Sequence, residues 1–237
     1  MVARKKVVFV IVEGSSDDTA LGVILSRLYD QSKVHIEIMH GDITSDRSID
    51  PADIVSALGD IVRHYAATMH FSQDHFQEVI HLVDMDGAFV PETVIVDNAD
   101  AAKPLYSLTE IQTAHPKQLA LRNRHKQSKL NRISTLKKVW NSIPYQVYYM
   151  SRNLDHVLYG KLNSTDEEKE NDAYAFAKRY KDDIDGFLTF ISDSQFSRID
   201  GYRESWEFIK KDLHSLERYT NLGLCFTEIR KNRRTQK

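Results

Sequence analysis

The sequence predicts an α/β fold: a mainly parallel central sheet flanked by helices, with a helical C-terminal extension. Three observations point there. Residues 7–12 (V-V-F-V-I-V) form an unbroken apolar run, as expected of a strand covered on both faces. Strand and helix periods then alternate as far as residue 83, the pattern of a parallel layer. Beyond residue 160 the recurring signals are helical ones.

The first run ends at Glu13-Gly14. Ser15 and Ser16 can cap a helix, with Asp17 and Asp18 in its first turn, where the helix dipole favours acids. Leu21, Ile24, Leu25 and Leu28 continue it at three- and four-residue spacing. Residues 34–39 (V-H-I-E-I-M) alternate as a strand does. Pro51 opens a second helix through Ile54, Leu58, Ile61 and Tyr65. Residues 78–83 give a third strand, ended by Asp84-Met85-Asp86-Gly87.

Residues 91–117 mix short apolar pieces with polar turns and are expected to be irregular. From 117 to 138 there are eight Lys or Arg and no acid. Residues 145–150 (Y-Q-V-Y-Y-M) make a fourth strand, followed by Ser151-Arg152-Asn153-Leu154-Asp155 and a short helix. Thr165 starts a helix expected to run to Phe190, and another covers 202–216. The basic tail from Arg230 is expected to fray. The simplest partition is a catalytic domain over 1–160, with an irregular basic insertion at about 91–140, and a helical extension over 161–237 packed on it.

The composition is 28% charged residues with a formal net charge of -2, so any nucleic-acid site must come from local clustering. One cysteine, Cys225, excludes an internal disulfide framework and cysteine-rich zinc sites. The opening apolar run is too short to span a membrane, and acids follow it, so a soluble cytoplasmic protein is expected. His64, His70, His75 and His81 show no metal-site spacing and are expected on the surface or in packing roles.

The chemistry lies at two strand ends. In parallel sheets ligands bind beyond the carboxyl ends of strands, near the switch in strand order. If the first and third strands are neighbours, Glu13, Asp17, Asp84 and Asp86 converge, and such a group repels itself unless a cation screens it. Hard oxygen ligands suit Mg2+ or Mn2+, and hence metal-assisted phosphodiester chemistry. Helix capping would by itself account for Asp17, and Asp18 is read as a capping residue only. Arg122, Arg124, Lys126, Lys129, Arg132, Lys137 and Lys138 repel one another without counter-ions, and a phosphate backbone would relieve that; a solvated face is the plainer alternative. Tyr145, Tyr148 and Tyr149 are expected in the core rather than stacked on bases.

The string from Ile11 to Asp17 resembles the first motif of TOPRIM domains, and His81 to Asp86 resembles their strand-terminal Asp-x-Asp. Ser151 to Asp155 is similar to the serine-x-x-x-acid motif of OLD-type TOPRIM nucleases of phage defence, with Asp where that family usually has Glu. The resemblance implies a TOPRIM-like sheet and a Mg2+- or Mn2+-dependent endonuclease acting on DNA or on tRNA and other RNA, in an antiviral role. It implies that Glu13 handles a proton or binds metal, that Asp17, Asp84 and Asp86 hold metal, and that Ser151 and Asp155 join them. Lys161 would neutralise transition-state charge. No nucleotide-binding G-x-x-x-x-G-K-[ST] loop is present, so a separate ATPase subunit of a defence system is a fitting partner, and a homodimer is compatible with the chain. A rival comes from residues 83–87, which look like the nucleophile motif of haloacid-dehalogenase phosphatases, though Ala88 stands where that family has Thr. A second rival is a non-catalytic TOPRIM-like module that binds nucleic acid or protein.

Overall fold

A computed structural model describes residues 5–235. The chain opens with β1 (Lys6–Val12), α1 (Ser15–Leu28), β2 (Val34–His40), α2 (Ile54–Thr68) and β3 (Phe76–Asp84). Next come three short strands, β4 (Ile95–Asp97), β5 (Leu105–Tyr106) and β6 (Ile111–Thr113), and the long helix α3 (Pro116–Ile133). The strands β7 (Lys138–Val139) and β8 (Ile143–Met150) follow, then α4 (Leu154–Tyr159), α5 (Asp166–Tyr180), α6 (Ile184–Asp193), α7 (Tyr202–Ile209) and α8 (Thr227–Thr235).

The main sheet has the order β2-β1-β3-β8-β7. The first four strands pair in parallel, and β7 joins the edge antiparallel. The fold is therefore α/β, with a mostly parallel central sheet between helical layers. Period-two alternation divides β1 between them. Val8, Val10 and Val12 face a core built with α1, α4, α5 and α6, while Phe9 and Ile11 face another built with α2, the end of α3 and α7. Val7 to Val12 are all at most 2% exposed, which is why this strand reads as a continuous apolar run.

The connectivity fixes the place of the site. From β1 the chain crosses by α1, on one face, to β2, and returns by α2, on the other, to β3 on the opposite side of β1. The strand order therefore reverses between β1 and β3, and beyond their carboxyl ends β1 leads into α1 while β3 leads into a tight turn and the strands β4–β6. That leaves a crevice between them, the usual ligand position in an open α/β sheet.

Some local expectations need correction and others hold. Residues 91–133 are ordered: β4-β6-β5 form a small second sheet, and α3 carries most of the basic run. The helix expected from Thr165 to Phe190 is two helices. Thr165 caps α5 through Glu168 N, and the Asp183 side chain accepts from Gly186 N to start α6. The last predicted helix stops at Ile209 rather than at residue 216. The tail from Arg230 is helical through Thr235, held by Arg230–Asp193 and Arg233–Asp185 pairs; Gln236 and Lys237 lie outside the described residues. His81 is fully buried beside Tyr145, which donates or accepts at 2.8 Å. Tyr145, Tyr148 and Tyr149 are core residues. Among the described residues no helix is long and apolar enough to cross a membrane.

Candidate active site

Glu13 follows the last residue of β1, and Asp84 ends β3, the next strand. The Glu13 Oε1 accepts from the Asp84 backbone N–H at 3.0 Å, so the two strand ends are locked together. Thr44, on the loop after β2, donates to the same oxygen at 3.2 Å and to Asp42 at 3.1 Å. Asp84 Oδ1 accepts from Leu154 N at 3.1 Å, at the start of α4.

Beyond Asp84 the chain turns sharply. Asp86 and Gly87 have positive φ values of 48° and 65°. Aspartate tolerates this conformation, and glycine adopts it freely. A Cβ on Gly87 would also meet Ile111 Cδ1 at 2.8 Å and Leu216 Cδ2 at 2.9 Å. The turn lies under α3. From that helix Asn123 donates to Gly87 O at 3.2 Å, Arg122 donates to Asp86 O at 2.9 Å, and Gln127 bonds Ala88 O.

Lys126 is the centre of the arrangement. It is fully buried, with its Nζ 2.5 Å from Asp86 Oδ2 and 3.6 Å from Glu13 Oε1, and it donates to Ser45 Oγ at 3.1 Å. Burial opposes its charge, but Asp86, Glu13 and Asp42 outweigh that and hold it above the usual lysine range. Asp86 responds in kind: against burial, Lys126 and Arg122 hold its carboxyl below the usual range. Glu13 is pushed up to about 8, chiefly by burial, with Asp42 and Asp86 adding and Lys126 opposing. Burial and the charges of Glu13, Asp17 and Asp86 drive Asp84 well above its ordinary value. These acids are strained by one another, and one lysine does not neutralise them all.

Asp17 accepts from Gly14 N at 3.0 Å and so closes the first turn of α1; burial raises it to about 6, with Asp155 adding to the shift. Asp18 faces His40 at 3.3 Å, a surface contact rather than a cap. Asp155 is buried, raised by burial, and 3.9 Å from Lys169 Nζ. Ser151 is fully buried, and its Oγ accepts from Tyr219 N at 2.6 Å. The crevice thus brings Glu13, Asp84 and Asp86 together and sets Asp17 and Asp155 along its side, while Ser151 is engaged by backbone. Lys161 sits on the surface, paired with Asp172 at 2.6 Å.

The basic segment is divided by its helix. Lys126 and Lys129 are at most 1% exposed, so the expectation that they contact nucleic acid fails: they point inward, Lys126 to the carboxylates and Lys129 to the carbonyls of Ile43 and Asp46. Arg124 pairs with Glu92, and Arg132, Lys137 and Lys138 face solvent near the other end of the helix. Asp42, Thr44 and the role of Lys126 escaped the sequence reading. Asp42 could have been found as the acid two residues beyond the second strand, much as Glu13 follows the first and Asp84 ends the third.

The donor set is one of hard carboxylate oxygens, two of them destabilised by burial and mutual repulsion, which a divalent cation would relieve. Among the described residues, no three His, Cys, Asp or Glu groups form a ready-made cage for an ion as they stand. No protein-family model, curated protein or solved structure matches the chain.

Proposed function

We propose that this crevice is the centre of a TOPRIM-like, metal-dependent nuclease that hydrolyses nucleic-acid phosphodiester bonds. The observation that carries the reading is the Glu13 carboxylate bonded to the Asp84 backbone at the switch between β1 and β3, with Asp86 and a buried Lys126 alongside. Asp84 and Glu13, with Asp17, would hold Mg2+ or Mn2+. A bound ion of this kind supplies charge neutralisation, an activated water and stabilisation of the leaving oxygen.

The chain's own residues divide the remaining work. Burial raises the Glu13 carboxyl to about 8 in the absence of a cation. On binding one, Glu13 would lose its proton and become a carboxylate able to accept one from the attacking water. Lys126 keeps Asp86 ionised and fixed, and so leaves Asp84 as the acid most in need of a cation. Arg122, bonded to the Asp86 carbonyl, puts a second fixed positive charge at the rim, where phosphate oxygens would arrive.

The test is incubation of the protein with plasmid DNA and with total tRNA under Mg2+ and under Mn2+, beside its Glu13→Ala form. Cleavage by the parent that Glu13→Ala abolishes is the expected result. Absence of cleavage of either substrate with either metal would remove the proposal. Phosphate-monoester hydrolysis retained by Glu13→Ala would instead favour Asp84 as a covalent nucleophile.

A further inference from the structure

Two cavities meet along the first half of α3. One, about 110 Å3, lies between the loop after β2 and α3, and includes Thr44, Ser45, Arg47 and His125 in its lining. The other, about 350 Å3, runs on between α3 and the chain between β4 and β5, past Lys103, Pro104 and His115. Arg47, Gln118 and Arg122 line both, so the two form one continuous groove.

Its inner end reaches the carboxylates. Thr44 bonds Glu13, Ser45 bonds Lys126, and Arg122 bonds the Asp86 carbonyl. Two of its cations are free in a way that Arg124 and Lys126 are not. Arg47 and Lys103 are exposed and, among the described residues, have no carboxylate partner, whereas Arg124 is paired with Glu92 and Lys126 is buried in the site. Asp46 is the one acid among the residues lining either cavity. Exposed Leu121 adds an apolar surface beside Arg122.

We propose that this groove seats a single nucleic-acid strand, its phosphates on Arg47, Lys103 and Arg122, and leads it to the carboxylates. The inference rests on the nuclease reading and narrows it to a single-stranded substrate. A chain of phosphates is the ligand that rewards two unpaired cations, Arg47 and Lys103, lining one groove with Arg122, whose own donors are already engaged by the Asp86 carbonyl, Tyr106 and Asn123. The dimensions choose between strand and duplex. Cavities of this size lie at or below the small end of ligand pockets, about 300–1000 Å3. A flexible strand can lay its phosphates along so small a groove, whereas a duplex, two paired strands thick, could touch only its rim.

The test is fluorescence anisotropy in EDTA, so that binding is read without cleavage. The probes are a labelled oligonucleotide of about 12 nucleotides and its duplex. The single strand is expected to bind at least roughly tenfold more tightly than the duplex. Arg47→Ala/Lys103→Ala, which breaks no bond within the protein and should leave the melting temperature unchanged, is expected to weaken strand binding. It should also flatten the salt dependence by about 0.7 in logarithmic slope per lost phosphate contact. Lys137→Ala/Lys138→Ala, at the other end of the basic segment, is expected to leave both readings unchanged. Equal or tighter duplex binding, a loss confined to Lys137→Ala/Lys138→Ala, or no binding of either probe would each overturn the groove. Strand binding with these properties but no cleavage under any metal would sink the nuclease chemistry and leave the groove standing.

Discussion

The carboxyl ends of β1 and β3 and the carboxyl end of β8 all carry acids or hydroxyls, yet the molecule uses them differently. At β1 and β3 the chain leaves in opposite directions, and the side chains there meet one another: Glu13 bonds the backbone of Asp84, and Asp86 meets Lys126. At β8 the chain is covered by residues 215–220. The Ser151 backbone N–H donates to Tyr219 O at 2.8 Å, its hydroxyl takes the Tyr219 N–H, and the Arg152 N–H goes to Ser215 O. Polar groups at a topological switch stay available to a ligand; those one strand farther out are consumed by the fold. Four tests would break or sharpen this contrast.

The largest effect is expected on activity. Glu13→Gln and Asp84→Asn keep the shape of the crevice and remove its ionisable groups. Each should lower metal-dependent cleavage about 10^3-fold, within the range for losing a proton-transfer or charge-bearing group. Initial rates on the preferred nucleic acid would measure this. Ser151→Ala in the same assay should keep most of its activity once protein folding is matched; an equal loss would erase the contrast.

Lys126→Met comes next and is read on stability. Removing one partner of a buried pair leaves the ionised Asp86 uncompensated, at a cost of about 3–5 kcal/mol. Urea unfolding in EDTA should show the loss. Adding Asp86→Asn to the same chain should recover part of it, because the stranded charge is then gone. No recovery would mean that Lys126 acts through packing rather than through charge.

These residues also mark what a sequence can disclose. β1, α1, β3 and β8 were legible because their apolar periods are clean, and the acids at the ends of β1 and β3 followed from that. α3 was not, because its inward face carries Asn123, Lys126 and Lys129 among Leu119, Leu130 and Ile133. Cations and an amide at helical spacing look like a solvated run, and only the turn they cover explains why they point inward. The strands β4, β5 and β6 have two or three residues each, too few to show alternation. For the same reason the basic segment's site contribution was misplaced: two of its lysines serve the interior, while Arg47 and Lys103 come from elsewhere in the chain.

A comparable effect is expected from pH. Glu13 lies at about 8 in the fold against an ordinary 4.5, so the folded chain holds a proton that the unfolded chain releases between those values. Its contribution to stability is full below about pH 4.5 and disappears as pH rises through 8; Asp17, raised to about 6, has the same sign. Without divalent ions, stability should fall by on the order of 5 kcal/mol between about pH 5 and 8. Glu13→Gln should flatten most of that slope. A wild-type protein whose stability rises over the interval would contradict the strained carboxylates on which the crevice argument depends.

The smallest effect probes the β8 side directly. Ser151→Ala removes the acceptor of the Tyr219 N–H, which is then left buried without a partner, at a cost of about 1–3 kcal/mol. Cysteine at the same place should lose about as much, because sulfur is a weak acceptor, whereas threonine keeps an oxygen and should lose less where its methyl is accommodated. The decisive reading is metal dependence. If Ser151 serves only the backbone, Ser151→Ala shifts the melting temperature equally with and without Mn2+. A shift that grows when Mn2+ is present would move Ser151 from the scaffold into the crevice, and the two strand ends would then differ in degree rather than in kind.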